Sequence, residues 1–223
     1  MSKQDSIDLA QPRVIVIRQG AQTFKYTVPR ISQQEWFEYF GGIVSTAERK
    51  GKQIVQHLDA SSAGLELVEK CISDAKVPLS HRLAVANVLT SPYVPEQDME
   101  GFGQVPLIAI WSADEDGMMR RHKNLVHIFE EPTAEQNRRY RRDDSRAQVI
   151  GGSRKGETIY HGAQRTLAAL YDELIVEVKG YTVSGEQLAG RDAIARFMDT
   201  YHKVAAVAQL FTAGAIEMGE EDE

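Results

Sequence analysis

Pro29-Arg30-Ile31-Ser32-Gln33-Gln34-Glu35 and Pro132-Thr133-Ala134-Glu135-Gln136 share one pattern, a proline followed by a helix start. In each, a hydroxyl residue stands three positions ahead of Glu or Gln, so the two side chains can satisfy each other's orphaned backbone N–H groups. Each is therefore a capping box and opens a helix. Ile31 before the first cap and Trp36 four positions into the helix have the spacing of a hydrophobic staple. Tyr39 and Tyr140 each fall seven residues after their cap.

Each junction follows a pair of apolar, β-prone runs. Val14–Ile17 and Phe24–Val28 flank a short polar turn, and Leu107–Trp111 and Leu125–Phe129 flank a longer one containing Asp116-Gly117. Both pairs read as hairpins. Downstream, Leu67-Val68-Glu69-Lys70-Cys71-Ile72 lies on Leu170-Tyr171-Asp172-Glu173-Leu174-Ile175 at an offset of 103, close to the 101 that separates Ser32 from Thr133. His81-Arg82-Leu83-Ala84 and His202-Lys203-Val204-Ala205 begin a third helix in each half at an offset of 121, so the second copy holds about 18 extra residues, placed near Gly180–Asp192. Four elements in the same order predict an internal duplication.

Three-and-four spacing supports the helices: Trp36, Phe40, Ile43, Val44 and Ala47 on the first, and Leu167 through Val178 on a later one. Ile194, Phe197, Met198, Tyr201, Val204, Ala208 and Phe211 read as one long final helix. The expected fold is α+β and mostly helical, with two tandem copies of a hairpin followed by about three helices. The first unit is placed at 12–90 and the second at 107–216. The breaker-rich segment 91–106 is the linker, and 217–223 is an acidic tail too polar to order itself.

Composition bounds the function. With 223 residues, 42% hydrophobic and 26% charged, the chain is of globular type, and collagen-like, disordered and disulfide-scaffold classes are excluded. No apolar run reaches the length of a bilayer span, and Met1–Gln11 lacks the apolar core of a secretion signal, so a cytoplasmic location with no membrane partner is expected. The single cysteine, Cys71, sits in a helical pattern as a small core hydrophobe.

Gly151-Gly152-Ser153-Arg154-Lys155-Gly156-Glu157-Thr158 spaces its glycines like a phosphate loop, but Glu157 stands where lysine is required. Asp114 and Asp116 begin like a calcium loop, but Lys123 occupies the position of the bidentate Glu. The six histidines form no zinc spacing, and His122 and His127, an odd number apart, are expected on opposite faces of a strand. His81 and His202, at equivalent helix starts, are expected to hydrogen-bond locally. No nucleophile motif is present. The expectation is no enzyme, no catalytic residue, no cofactor and no metal.

Charge is unevenly spread. Residues 118–155 carry +5 in a chain of −6, leaving −11 elsewhere. Acids interleave the arginines of the helix from Thr133, which favours a solvated or partner-facing helix over a nucleic-acid surface, and homo-oligomerisation would use the same charges.

The hairpin-to-helix junctions at about 12–50 and 107–146, the run Phe129-Glu130-Glu131-Pro132-Thr133-Ala134-Glu135-Gln136 and the acidic end together resemble tail assembly chaperones of long-tailed bacteriophages, as encoded by phages and prophages. That resemblance implies a non-enzymatic protein of the bacterial host cell that binds another tail protein, typically a tape-measure-like client. The alternatives are a structural virion component of the tail and a nucleic-acid-binding protein using segment 118–155. A holder of that kind must display surface for its client. The candidate interaction residues are Trp36, Phe37, Tyr39 and Phe40, too many rings for one narrow face unless hairpin and helices wrap all four, and Arg138, Arg139, Tyr140 and Arg142.

Overall fold

The repeated junction builds the same local structure twice. The structure is a computed structural model that describes residues 6–50, 53–72, 74, 76–90, 103–113, 118–144, 147–150, 158–161 and 163–217. A two-residue strand, β1 (Ile7–Asp8), precedes the hairpin β2 (Arg13–Gln19) and β3 (Gln22–Val28). Gln19 pairs with Gln22, which leaves Gly20-Ala21 as a two-residue turn, and Gly20 takes the positive φ of 61° that such a turn requires. Helix α1 (Gln33–Gly42) then starts from the predicted box: Glu35 N donates to Ser32 Oγ at 3.2 Å and Ser32 N to Glu35 Oε2 at 2.7 Å. A second hairpin, β4 (Val44–Lys50) and β5 (Gln53–Leu58), leads to α2 (Ala60–Cys71) and α3 (Leu79–Leu89).

The order recurs as β6 (Gln104–Ala113), β7 (Met119–Phe129), α4 (Ala134–Asp144), β8 (Ala147–Ile150), β9 (Thr158–His161) and α5 (Ala163–Leu174). Here Gln136 N donates to Thr133 Oγ1 at 3.3 Å and Thr133 N to Gln136 Oε1 at 2.9 Å, so the second box closes as well. Strands β10 (Ile175–Lys179), β11 (Tyr181–Val183) and β12 (Glu186–Gln187) and helix α6 (Arg191–Phe197) intervene before α7 (Thr200–Glu217). Residues 72–78 join α2 to α3, whereas residues 175–199 join α5 to α7, an excess of 18 residues.

Equivalence extends to packing. An offset of 121 carries the buried His81, Val85, Ala86 and Leu89 of α3 onto the buried His202, Ala206, Val207 and Leu210 of α7. An offset of 103 carries Leu67 and Val68 onto Leu170 and Tyr171, all buried. Each copy ties its second helix to its third by a cation–carboxylate pair at matching positions, Arg82–Glu69 at 2.9 Å and Lys203–Asp172 at 2.6 Å. In both copies the first helix packs on the second, the second on the third, and the third on the first strand.

The two units are one body. β1 pairs in parallel with β11, β2 packs against β6, and a single hydrophobic cluster takes Trp36, Phe40 and Val85 from one copy and Leu125, Tyr171 and Val207 from the other. β2 and β6, which hold equivalent places, meet as equivalent patches do across the axis of a symmetric dimer. β10 joins β7 and β6 in an antiparallel three-stranded sheet.

Several expectations are corrected. The first helix ends at Gly42, and Val44 and Ala47 lie in β4: two glycines weaken the helix before the β-branched Ile43, Val44 and Thr46. α5 ends at Leu174, and Ile175 and Val178 belong to β10, drawn into strand by pairing with β7. The long final helix breaks at Met198-Asp199, where Asp199 Oδ1 accepts Tyr201 N at 2.9 Å and caps α7. Gln104–Pro106, read as linker, begin β6, and Glu217, read as tail, is helical. Residues 91–102, Asp114–Gly117, 151–157 and 218–223, on which the linker, turn, calcium-like, glycine-loop and tail readings fall, lie outside the described residues. His122 and His127 are both buried: Leu107 pairs with Leu125 and Ala109 with His122, so β7 carries one extra residue between them, and that bulge turns both imidazoles inward. No helix among the described residues is long and apolar enough to cross a membrane.

Candidate functional site

The eight candidate interaction residues separate into a buried set and a surface set. Trp36, Phe37, Tyr39 and Phe40 are at most 8% exposed. Trp36 lies 5.0 Å from Tyr201, centroid to centroid, and Phe40 5.2 Å from the same ring, while Arg165 covers Phe37 at 4.5 Å. The four rings are thus covered, Trp36 and Phe40 by Tyr201 and Phe37 by Arg165, while Gln33, Gln34 and Glu38 of the same helix stay exposed; of the two expectations for these rings, wrapping of all four holds and the display that an interaction surface needs does not. The exposed large hydrophobics among the described residues are Leu79, Met118 and Val176, scattered over α3, the start of β7 and β10.

Arg138, Arg139 and Arg142 are brought together. With Glu135 they line one face of α4, at the i, i+3, i+4 and i+7 spacing of a helical stripe, along an open groove of about 360 Å³. Arg139 NH2 meets Glu173 Oε1 at 2.6 Å and Arg142 Nε meets Asp143 Oδ1 at 3.0 Å. Arg138 Nε donates to the Ala134 carbonyl of its own helix. Tyr140 faces the other way and stacks on Phe211 of α7 at 4.5 Å and 10°, so it anchors the helix instead of lining the groove. The pairing lowers the Glu173 carboxyl against the opposing push of its partial burial.

Between the copies lies a buried polar constellation that sequence reading missed. Arg13 of β2 reaches Asp199 at 3.1 Å, with both side chains at most 6% exposed, and also donates to the Leu89 carbonyl. Trp36 Nε1 donates to the same Asp199 Oδ2 at 3.2 Å, and the Arg13 guanidinium lies 3.7 Å over the Trp111 ring. Burial lowers Arg13, and the Asp199 charge opposes that shift. Beside it, His127 bridges the hydroxyls of Tyr171 at 2.7 Å and Tyr181 at 2.9 Å, and Tyr181 meets His202 Nδ1 at 2.9 Å. Burial holds both imidazoles well below the ordinary value and both phenols well above theirs, so the network is uncharged at neutral pH. His81, the counterpart of His202, likewise meets a tyrosine hydroxyl, Tyr26 at 2.7 Å. Both histidines of the repeat hydrogen-bond, but to residues of other elements, Tyr26 and Gln19 for His81 and Tyr181 for His202, so the local first-turn bonding expected of them is corrected. Alternate residues pointing inward along a strand could have flagged His127, but its partners come from elements too distant in sequence to be read.

Two further features bear on chemistry. Cys71 is half-buried against the core and burial pushes its thiol up to about 11, which keeps it protonated and unreactive. A cleft of about 420 Å³ opens between β2 and the end of β6, lined by Val14, Val16, Lys25, Trp111 and Ser112, and Ser112 Oγ lies 2.9 Å from His122 Nε2 at its edge. Among the described residues no group of three or more His, Cys, Asp or Glu is placed to hold a metal ion.

No family model, curated protein or solved structure matches the chain.

Proposed function

We propose that the chain is a non-enzymatic protein-binding factor of bacteriophage tail assembly, acting in the cytoplasm of the bacterial host cell and binding another tail protein through the outer face of α4. The observation that carries this reading is the groove of Glu135, Arg138, Arg139 and Arg142, three arginines and one carboxylate on one face of a helix that Tyr140 anchors. Its ion pairs are solvent-exposed, 31% and 43% for Arg139 and Glu173, so each is worth at most about 1 kcal/mol and can be exchanged for a partner's carboxylates at small cost. The interleaved acids favour a protein client over nucleic acid, whose phosphates they repel. With the α1 aromatics covered, recognition is polar and steered by charge, which sets partner choice and on-rate more than raw affinity.

Co-expression with a tape-measure-like tail protein tests the reading. The native chain is expected to co-purify with it and R138E/R139E/R142E to lose it. Equal capture by the reversed variant would overturn the α4 assignment. Presence of the chain in purified particles would identify a virion component instead, and salt-dependent retention on DNA abolished by the same reversal would identify a nucleic-acid binder.

A further inference from the structure

The 18 extra residues of the second copy build something the first copy lacks. They place α6 against the start of α1, and the space between forms a cleft of about 360 Å³ lined by Arg30, Ser32, Arg196, Thr200 and Lys203, with Ile31 and Met198 as its apolar part. Three cations line it and no carboxylate does, in a chain whose net charge is −6.

The cations hold more donors than the fold consumes. Arg30 uses one guanidinium nitrogen, NH2, on the carbonyls of Arg196 at 2.9 Å and Phe197 at 3.0 Å. Lys203, nearly fully buried, gives two of its three protons to Asp172 Oδ1 at 2.6 Å and the Ala195 carbonyl at 2.5 Å. The guanidiniums of Arg30 and Arg196 both lie within 6 Å of the Phe197 ring, at 5.6 and 5.4 Å, which gathers like charges where nothing in the lining offsets them. Of the neighbouring carboxylates, Glu35 is committed to Ser32 N and Asp199 to Arg13 and Trp36, while Asp172 offsets the Lys203 charge from outside the lining and leaves the two guanidiniums without a counter-charge there. The first turns of α1 and α7 border the cleft and add their partial positive charge.

We propose that this cleft binds a small phosphate monoester, with its phosphate among Arg30, Arg196 and Lys203 and its organic part on Ile31 and Met198. Two forked guanidiniums and an ammonium match a dianion with three terminal oxygens, whereas one arginine already satisfies a carboxylate. The cleft also has room beyond a bare phosphate. The site is independent of the α4 reading and stands or falls without it.

The test is titration of the full chain with phenyl phosphate, inorganic phosphate and benzoate, followed through the backbone amides of Gln33, Arg196 and Thr200 by NMR. Saturable shifts are expected with both phosphates, tighter for the ester and absent with benzoate. R196Q removes a side chain that makes no hydrogen bond among the described residues, so it should leave the fold intact and weaken phenyl phosphate by about tenfold. R30Q should weaken it as well, but it also removes the bonds to the Arg196 and Phe197 carbonyls, so R196Q is the deciding variant. Shifts that never saturate, benzoate binding as tight as phenyl phosphate, or R196Q binding as well as the native chain would each overturn the proposal.

Discussion

Asp199→Ala is the most informative single change. The carboxylate is 4% exposed and serves three donors from three elements: Arg13 on β2, Trp36 on α1 and the Tyr201 amide at the start of α7. Its removal leaves the Arg13 guanidinium buried without a counter-charge, which costs about 3–5 kcal/mol. The lost cap is worth about 1 kcal/mol and the unpaired indole N–H about 1–3 kcal/mol. These losses share one carboxylate and do not add, so the expected destabilisation is about 4–5 kcal/mol. Asp199→Asn keeps a single acceptor oxygen, enough for the cap at the Oδ1 position, and sets an NH2 against the indole and Arg13 at the Oδ2 position, so it is expected to recover only the cap, about 1 kcal/mol. Urea unfolding followed by circular dichroism and by Trp fluorescence gives both values. Arg13→Met leaves the opposite charge stranded, and R13M/D199A should be more stable than the sum of the two single losses by about 2 kcal/mol or more. A D199A loss under about 1 kcal/mol, or strict additivity in the double variant, would refute the claim that this pair fastens the copies together.

Gly180 has φ of 82°, and a Cβ there would sit 2.5 Å from the Asn124 carbonyl oxygen, whereas Gly185, at 81°, has nothing within 4 Å. Gly180→Ala should therefore cost at least about 2 kcal/mol and Gly185→Ala about 1 kcal/mol in the same urea assay. Because His127 and His202 titrate below their unfolded value of about 6.5, the unfolded chain takes up protons first as the pH falls. Stability should hold above about pH 6.5 and decline below it, and His127→Gln should flatten that decline in thermal melts taken from pH 8 to 5. Native Cys71 should react with iodoacetamide at pH 8 on the order of 100-fold more slowly than in urea, since little of its raised thiol is ionised.

The parts of the fold that sequence revealed are those set by neighbouring residues. Ser32–Glu35 and Thr133–Gln136 close the boxes read from their spacing, and the 18-residue excess falls between α5 and α7. What escaped depends on distant partners. β4–β5 went unread because the β-branched signal at Ile43–Thr46 overlaps the helical spacing that begins at Trp36, and β8–β9 because strands of four residues each barely stand out from the polar, glycine-rich sequence between them. The inward turn of both His122 and His127 required a bulge that only the pairing with β6 reveals. Of the candidate surface, the arginine stripe of α4 was legible as polarity at helical spacing. The burial of the α1 rings was not, because the Tyr201 that covers Trp36 and Phe40 lies more than 160 residues away in the chain.

Cutting the chain between α3 and β6, inside residues 91–102, tests whether two copies of one unit complete a single core. Co-expressed fragments 1–96 and 97–223 are expected to elute together as a one-to-one complex with a cooperative melt, and each alone to show no cooperative melt, because β1 and Arg13 of the first need β11 and Asp199 of the second. Two fragments that each melt cooperatively in isolation and do not associate would contradict the account.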